Sequence, residues 1–176
     1  MKFQYSLDEN DFLINLLYRN STSELQKKKL LRSRVLIPII YILFATSFLY
    51  KQNYTTAIVF IIIGALWFVF YPIYSKRRTK NYYIKFIKEN YTNRIGVLSI
   101  LEFKPDYIFA SDKGSESKIN SSELEKLIEI QDYFFLDTYQ KQSLIIPKKI
   151  IENLDEFYST MANYNIELIS EKNWIY

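Results

Sequence analysis

Four carboxylates fall where turns and strand ends could present reactive groups: Asp106, Asp112, Asp132 and Asp137, with serines at 115, 117, 121 and 122 among them. A carboxylate pair can relay a proton as general acid and base, and a serine can attack a carbonyl when a base sits beside it. The chain contains no histidine and no cysteine. A Ser-His-Asp triad cannot be built, thiolate chemistry is excluded, and the commonest metal ligand is missing. A carboxylate pair or a Ser-Lys arrangement remains, and no spacing indicates one. With only Gly64, Gly96 and Gly114, neither GxxxxGK nor GxGxxG can be written. We therefore expect no catalytic residues, no cofactor and no metal site.

Charge placement is more informative. Between Leu25 and Lys88 there are twelve Lys or Arg and no Asp or Glu, so the rest of the chain holds eleven basic and all nineteen acidic residues, a net of −8. The overall +4 averages two opposite regions. The basic residues flank two apolar runs, uncharged over Val35–Tyr50 and Gln52–Ser75, with Lys51 between them. A membrane helix needs roughly 20 apolar residues. The second run meets that; the first is short, but Arg34 and Lys51 can snorkel. The expectation is a transmembrane hairpin with spans at about 35–50 and 54–75.

Lysine and arginine collect on the cytoplasmic side of inserted helices. Lys27, Lys28, Lys29, Arg32 and Arg34 precede the first span, and Lys76, Arg77, Arg78 and Lys80 follow the second. Both termini are thus expected in the cytoplasm of a multi-pass protein of the cell membrane. An anionic lipid surface is the expected partner of this basic band, and nucleic acid is not, because the remainder is acidic. Ala57, Ile61, Gly64, Phe68 and Tyr71 share a helical face, with Ala57 and Gly64 small enough for close packing on the first span. No acidic or amide side chain lies mid-span, which argues against a transporter or proton relay. More than thirty polar-to-mixed residues precede the first run, so no cleavable leader is expected and the first span is the expected targeting signal.

Four segments result: an N-terminal strand and amphipathic helix at 1–34, the hairpin at 35–75, a basic juxtamembrane helix at 76–93, and one small domain at 94–176. Phe3, Tyr5 and Leu7 alternate as in a strand, and Ser6 with Glu9 has the spacing of a capping box. Pro38 should fall in the first turn of its span and Pro72 near the last turn of the other. Short strands are predicted at Leu98–Phe103, Tyr107–Ser111, Glu116–Ile119, Leu124–Ile130, Tyr133–Tyr139 and Gln142–Ile146. A final helix should start at Asn153 with Leu154, Phe157, Tyr158 and Met161 on one face.

A basic-flanked hairpin, then LEFKPDYIFAS, then SSELEKLIEIQDYFFLDTYQKQSLIIPKKI and a short terminal helix together resemble the YcxB-like family of bacterial membrane proteins. The segment that carries the likeness is Glu129 to Lys149: Tyr133-Phe134-Phe135-Leu136, a hairpin, then Ile145-Ile146-Pro147-Lys148-Lys149. Ser121 stands where the family often has tryptophan. The resemblance implies an α+β membrane protein whose soluble part is a pleckstrin-homology-like antiparallel curled sheet capped by the C-terminal helix. By the same analogy the strand at Phe3–Leu7 joins that sheet, and no catalytic residue is carried over.

The expected function is a non-enzymatic, membrane-anchored module that presents this domain to the cytoplasm and binds a protein partner. Two alternatives stand beside it: immunity or resistance against a membrane-active toxin or bacteriocin, and recognition of anionic lipid headgroups. A homo-oligomer is compatible with all three.

Overall fold

The computed structural model describes all 176 residues, which form two compact units. One joins Met1–Asn15 to Lys85–Ile175; the other is built on Leu16–Ile84.

In the first unit the chain is α+β. Strand β1 (Lys2–Ser6) is the edge of a four-stranded antiparallel sheet with β2 (Leu98–Phe103), β3 (Tyr107–Asp112) and β4 (Ser115–Asn120), in the order β1-β2-β3-β4. Phe3 stands opposite Leu101 and Tyr5 opposite Ser99. The second sheet has the order β7-β6-β5-β8, from β5 (Leu124–Glu129), β6 (Tyr133–Thr138), β7 (Ser143–Pro147) and β8 (Glu167–Ser170). Here the structure departs from a single antiparallel sheet in two ways. The strands divide between two sheets, and β8 lies parallel to β5, with Leu168 opposite Leu127. Parallel neighbours need a crossover, and the chain between β7 and β8 contains a helix, α4 (Leu154–Ala162).

Every residue of β6 is buried, because both of its faces are covered. Phe134 and Leu136 enter a core with Leu101, Phe103, Ile108, Leu127, Phe157 and Met161. Phe157 of α4 lies 4.7 Å from Phe134 and edge-on to Phe103, ring centre to ring centre 6.0 Å. Truncating so fully enclosed an aromatic costs roughly 3–5 kcal/mol. The Asn153 side chain caps α4, accepting from the amides of Asp155 and Glu156. Tyr5 ties the sheets together at one corner, its hydroxyl donating to the Ile145 carbonyl at 2.9 Å.

Helix α1 (Glu9–Thr22) starts with reciprocal caps, although not those of Ser6 and Glu9. Asp8 N donates to Asp11 Oδ2 at 2.7 Å and Asp11 N to Asp8 Oδ1 at 2.9 Å. Ser6 is held in the ladder opposite Leu98, so the helix can begin only after it. Buried Asp11 also accepts from the Tyr133 hydroxyl at 2.7 Å, which fixes the first turn of α1 to β6.

In the second unit two long helices run back along each other. Helix α2 is Glu24–Tyr50 and α3 is Tyr54–Asn90. Both begin or end beyond the apolar runs. Nothing between Glu24 and Val35 breaks a helix, so the basic lead-in is continuous with α2 and Pro38 is internal rather than in a first turn. Residues 76–90 are likewise the continuous C-terminal part of α3, and Pro72 is internal. The connection is a Schellman turn: Gln52 takes φ 56°, its amide reaches the Leu49 carbonyl, and that of Asn53 reaches Phe48.

Ala45, Ala57 and Gly64 are buried where the helices meet. A Cβ on Gly64 would stand 3.3 Å from that of Tyr41. The expected face of α3 is shifted in phase: Ile61 and Phe68 are exposed, while Phe60 stacks on Phe48 and Trp67 donates to the Ser33 carbonyl at 3.4 Å. Both helices are long and apolar enough to cross a membrane, and little of their apolar surface is covered, 6% and 11% of the most hydrophobic windows.

Candidate functional site

Glu129 closes β5 after Leu127 and Ile128, at a position where the strand pattern wants an apolar residue. Its side chain is 3% exposed. A lone carboxylate so buried would be protonated rather than charged; this one is surrounded by donors. Lys148 Nζ lies 2.7 Å from Oε1, the Tyr158 hydroxyl 2.7 Å, and Lys172 Nζ 3.2 Å. Ser170 Oγ lies 3.4 Å from Oε2. Burial pushes the Glu129 pKa up, but the bonds from Lys148, Tyr158 and Lys172 outweigh it and hold the carboxyl below its ordinary range. Burial and the bond to Glu129 push Tyr158 up to about 12.

Each donor comes from a different part of the chain. Lys148 follows Pro147 at the end of β7, and its ammonium lies 5.0 Å from the centre of the Phe134 ring. Tyr158 is on α4, one residue from the core residue Phe157. Ser170 ends β8, and the Glu171 amide bonds to the Glu129 carbonyl, which places Lys172 over the carboxylate. Glu129, Tyr158, Ser170 and Lys172 line a groove of about 570 Å³ between α4 and the face of β5 and β8, with Lys148 outside the lining. Leu127, Met161, Ile166 and Leu168 line its apolar part. The arrangement can hold charge in a fixed place, with two hydroxyls, those of Tyr158 and Ser170, directed at the carboxylate.

The residues singled out from sequence lie elsewhere. Lys27, Lys28, Lys29 and Arg32 are exposed on α2, Lys27 pairing with Glu24 at 2.9 Å. Arg34 is half-buried there and reaches across to α3. Lys76, Arg77, Arg78 and Lys80 are exposed on α3, and Ala57 and Gly64 are buried higher on the same helix. The carboxylates are dispersed. Asp106 is exposed before β3, Asp112 accepts from Ser115 in the β3–β4 turn, Asp132 is exposed between β5 and β6, and Asp137 is buried in β6.

Sequence reasoning did not assemble the Glu129 cluster. The available signals were a glutamate inside the apolar run LIEI and two lysines directly after Ile-Ile-Pro.

No curated protein and no solved structure matches the chain. The model of the family described as YcxB-like protein matches residues 103–161, from the last residue of β2 into α4, and so takes in Glu129, Lys148 and Tyr158. That segment, which carries the carboxylate and two of its four donors, is similar to the family over those residues.

Proposed function

We propose that this is a non-enzymatic protein of the cell membrane, anchored by α2 and α3 as a transmembrane hairpin, that presents a pleckstrin-homology-like unit to the cytoplasm for a protein partner. One observation carries the reading. Ile39, Ile42, Leu43, Phe44, Val69 and Phe70 are each about half or more exposed, and the apolar surface to which they belong has basic residues at one end of both helices. In water so large an apolar surface would drive aggregation; in lipid it is the expected exterior. The basic ends favour the cytoplasmic side for both termini. The division of β1–β4 and β5–β7 into two sheets with α4 against their shared core supports the pleckstrin-homology-like reading. Partner binding rests on β4, an outer strand of its sheet that is exposed at all but Ile119 and can accept an added strand.

The chain has no cysteine, so single-cysteine variants report topology without background. An impermeant maleimide on intact cells should label Thr55→Cys, and should label Ser117→Cys only after permeabilisation. Alkaline carbonate should leave the chain in the membrane fraction. Labelling of Ser117→Cys from outside, or release by carbonate, rejects the anchor. Crosslinking in native membranes followed by co-purification tests the partner, and recovery of the chain alone rejects it.

A further inference from the structure

The clamp around Glu129 contains more cation than the carboxylate needs. One lysine neutralises one carboxylate, and Lys148, whose side chain is only 19% exposed, does so at 2.7 Å. Lys172 adds a second positive charge from the solvent side, 58% exposed and 3.2 Å away. The charged residues in the groove lining are Glu129 and Lys172, and with Lys148 behind them the three side chains sum to +1; Asp155, whose charge is felt at Tyr158, sits in the first turn of α4 outside the lining. An ammonium has three donors; Lys172 directs one at Glu129. Glu129 already accepts from Lys148, Tyr158, Lys172 and Ser170 and has little capacity left for a ligand's donor.

The other end is apolar and open. Leu168 on β8 is half exposed beside buried Leu127, and Met161 and Ile166 complete the apolar lining. Small-molecule sites have volumes of roughly 300–1,000 Å³, apolar walls and a few fixed polar groups; a groove of about 570 Å³ with one cationic end has that form.

We propose that this groove binds a single-chain anionic amphiphile, its acidic head against Lys172 and Ser170 and its hydrocarbon chain along Leu127, Met161, Ile166 and Leu168. Charge complementarity selects the head: a cationic amphiphile would be repelled by Lys172, and a neutral one would offer no anionic acceptor to the Lys172 donors that Glu129 does not use. The site goes beyond membrane anchoring and does not depend on it.

The test uses the full chain in nanodiscs of zwitterionic lipid, because detergent would itself compete for the groove. A decanoate analogue with a diazirine at the chain end is photolysed, and the labelled peptides are mapped by mass spectrometry. Saturable labelling of the Tyr158–Ser170 region is expected, competed by decanoate and decyl phosphate and not by decanol or decyltrimethylammonium. A carboxylate-only competition assigns free fatty acid as the source, and competition by both assigns any acidic head. Lys172→Glu should cut this labelling by about tenfold or more, while Lys172→Arg retains it. Lys172→Glu also loses the ion pair to Glu129, so labelling is compared at a temperature where thermal melts show both variants fully folded. Labelling confined to residues 35–75, no labelling, equal competition by decanol, or unchanged labelling in Lys172→Glu each overturns the proposal.

Discussion

Arg34 Nε donates to the carbonyl of Phe68 at 3.0 Å, and that carbonyl is the one Pro72 leaves without a helical donor. An α-helical carbonyl at position i is met by the amide of i+4, and proline has none. The guanidinium also lies 4.2 Å from the centre of the Phe68 ring. Arg34 on α2 thus meets the carbonyl that Pro72 leaves open in α3. Pro72→Ala should return the missing donor and make Arg34 partly redundant. Arg34→Leu is expected to destabilise the wild-type hairpin by at least about 1 kcal/mol more than it destabilises the Pro72→Ala chain. Thermal melts of the four variants in nanodiscs give the coupling directly; equal costs in both backgrounds would show that the bond does no repair.

Close approach at Gly64 gives the second expectation. Its added Cβ would stand 3.3 Å from Tyr41 Cβ, tighter than ordinary contact, and 3.7 Å from the Pro38 backbone, already in contact. Gly64→Leu forces whole methylenes into that space and should cost about 1–3 kcal/mol through separation of α2 and α3. Ala65→Leu, on an exposed position of the same turn, should leave the melt within a degree or two and serves as the control. If both substitutions behave alike, the helices do not pack through this glycine.

How much of this was readable in the residues depended on whether the deciding interaction was local. The Asn153 cap, the stripe through Phe157 and Met161, and the short strands β1 to β7 follow from neighbours within a few positions, and each is present. Strand β8 was missed because ELIS is four residues long and leaves Leu168 half exposed, so it shows little alternation. The choice between Ile61 and Phe60, or Phe68 and Trp67, was unreadable because i+3 and i+4 lie on almost the same face; contacts with α2 decide it. Glu129 was visible as an odd residue in an apolar run. Its donors come from β7, α4 and the end of β8, a convergence that only the tertiary fold produces.

Tyr133 and Asp11 make the equivalent junction for α1. Asp11 is 2% exposed and accepts from both the Tyr133 hydroxyl and the Asp8 amide. Tyr133→Phe keeps the ring stacked on Phe135 and removes only the donor, leaving a buried carboxylate short of one charge-assisted bond. A loss of about 1.5–3 kcal/mol is expected. Hydrogen exchange should locate it, with amides in the first turn of α1 losing protection while those of β2 and β3 keep theirs. Uniform loss across the unit would mean that the bond is not what fixes this helix.

Acid should loosen the sheet unit at one identifiable carboxylate. Burial pushes Glu129 up, the donors from Lys148, Tyr158 and Lys172 outweigh it, and the folded pKa lies below the ordinary value of about 4.3. The sign follows from proton linkage: below about pH 4.3 the unfolded chain takes up a proton at this site that the folded chain resists. The clamp's contribution is therefore full above that pH and is lost as pH falls through the folded pKa. Glu129→Gln cannot titrate there and should lack this component of the acid-side decline in melting temperature. At pH 7 it should be less stable by about 3 kcal/mol, because Lys148 keeps its charge in a largely buried position without a carboxylate. Melting temperatures of both chains from pH 3 to pH 8 decide the matter. Parallel profiles would assign the acid sensitivity to other carboxylates and remove Glu129 as its source.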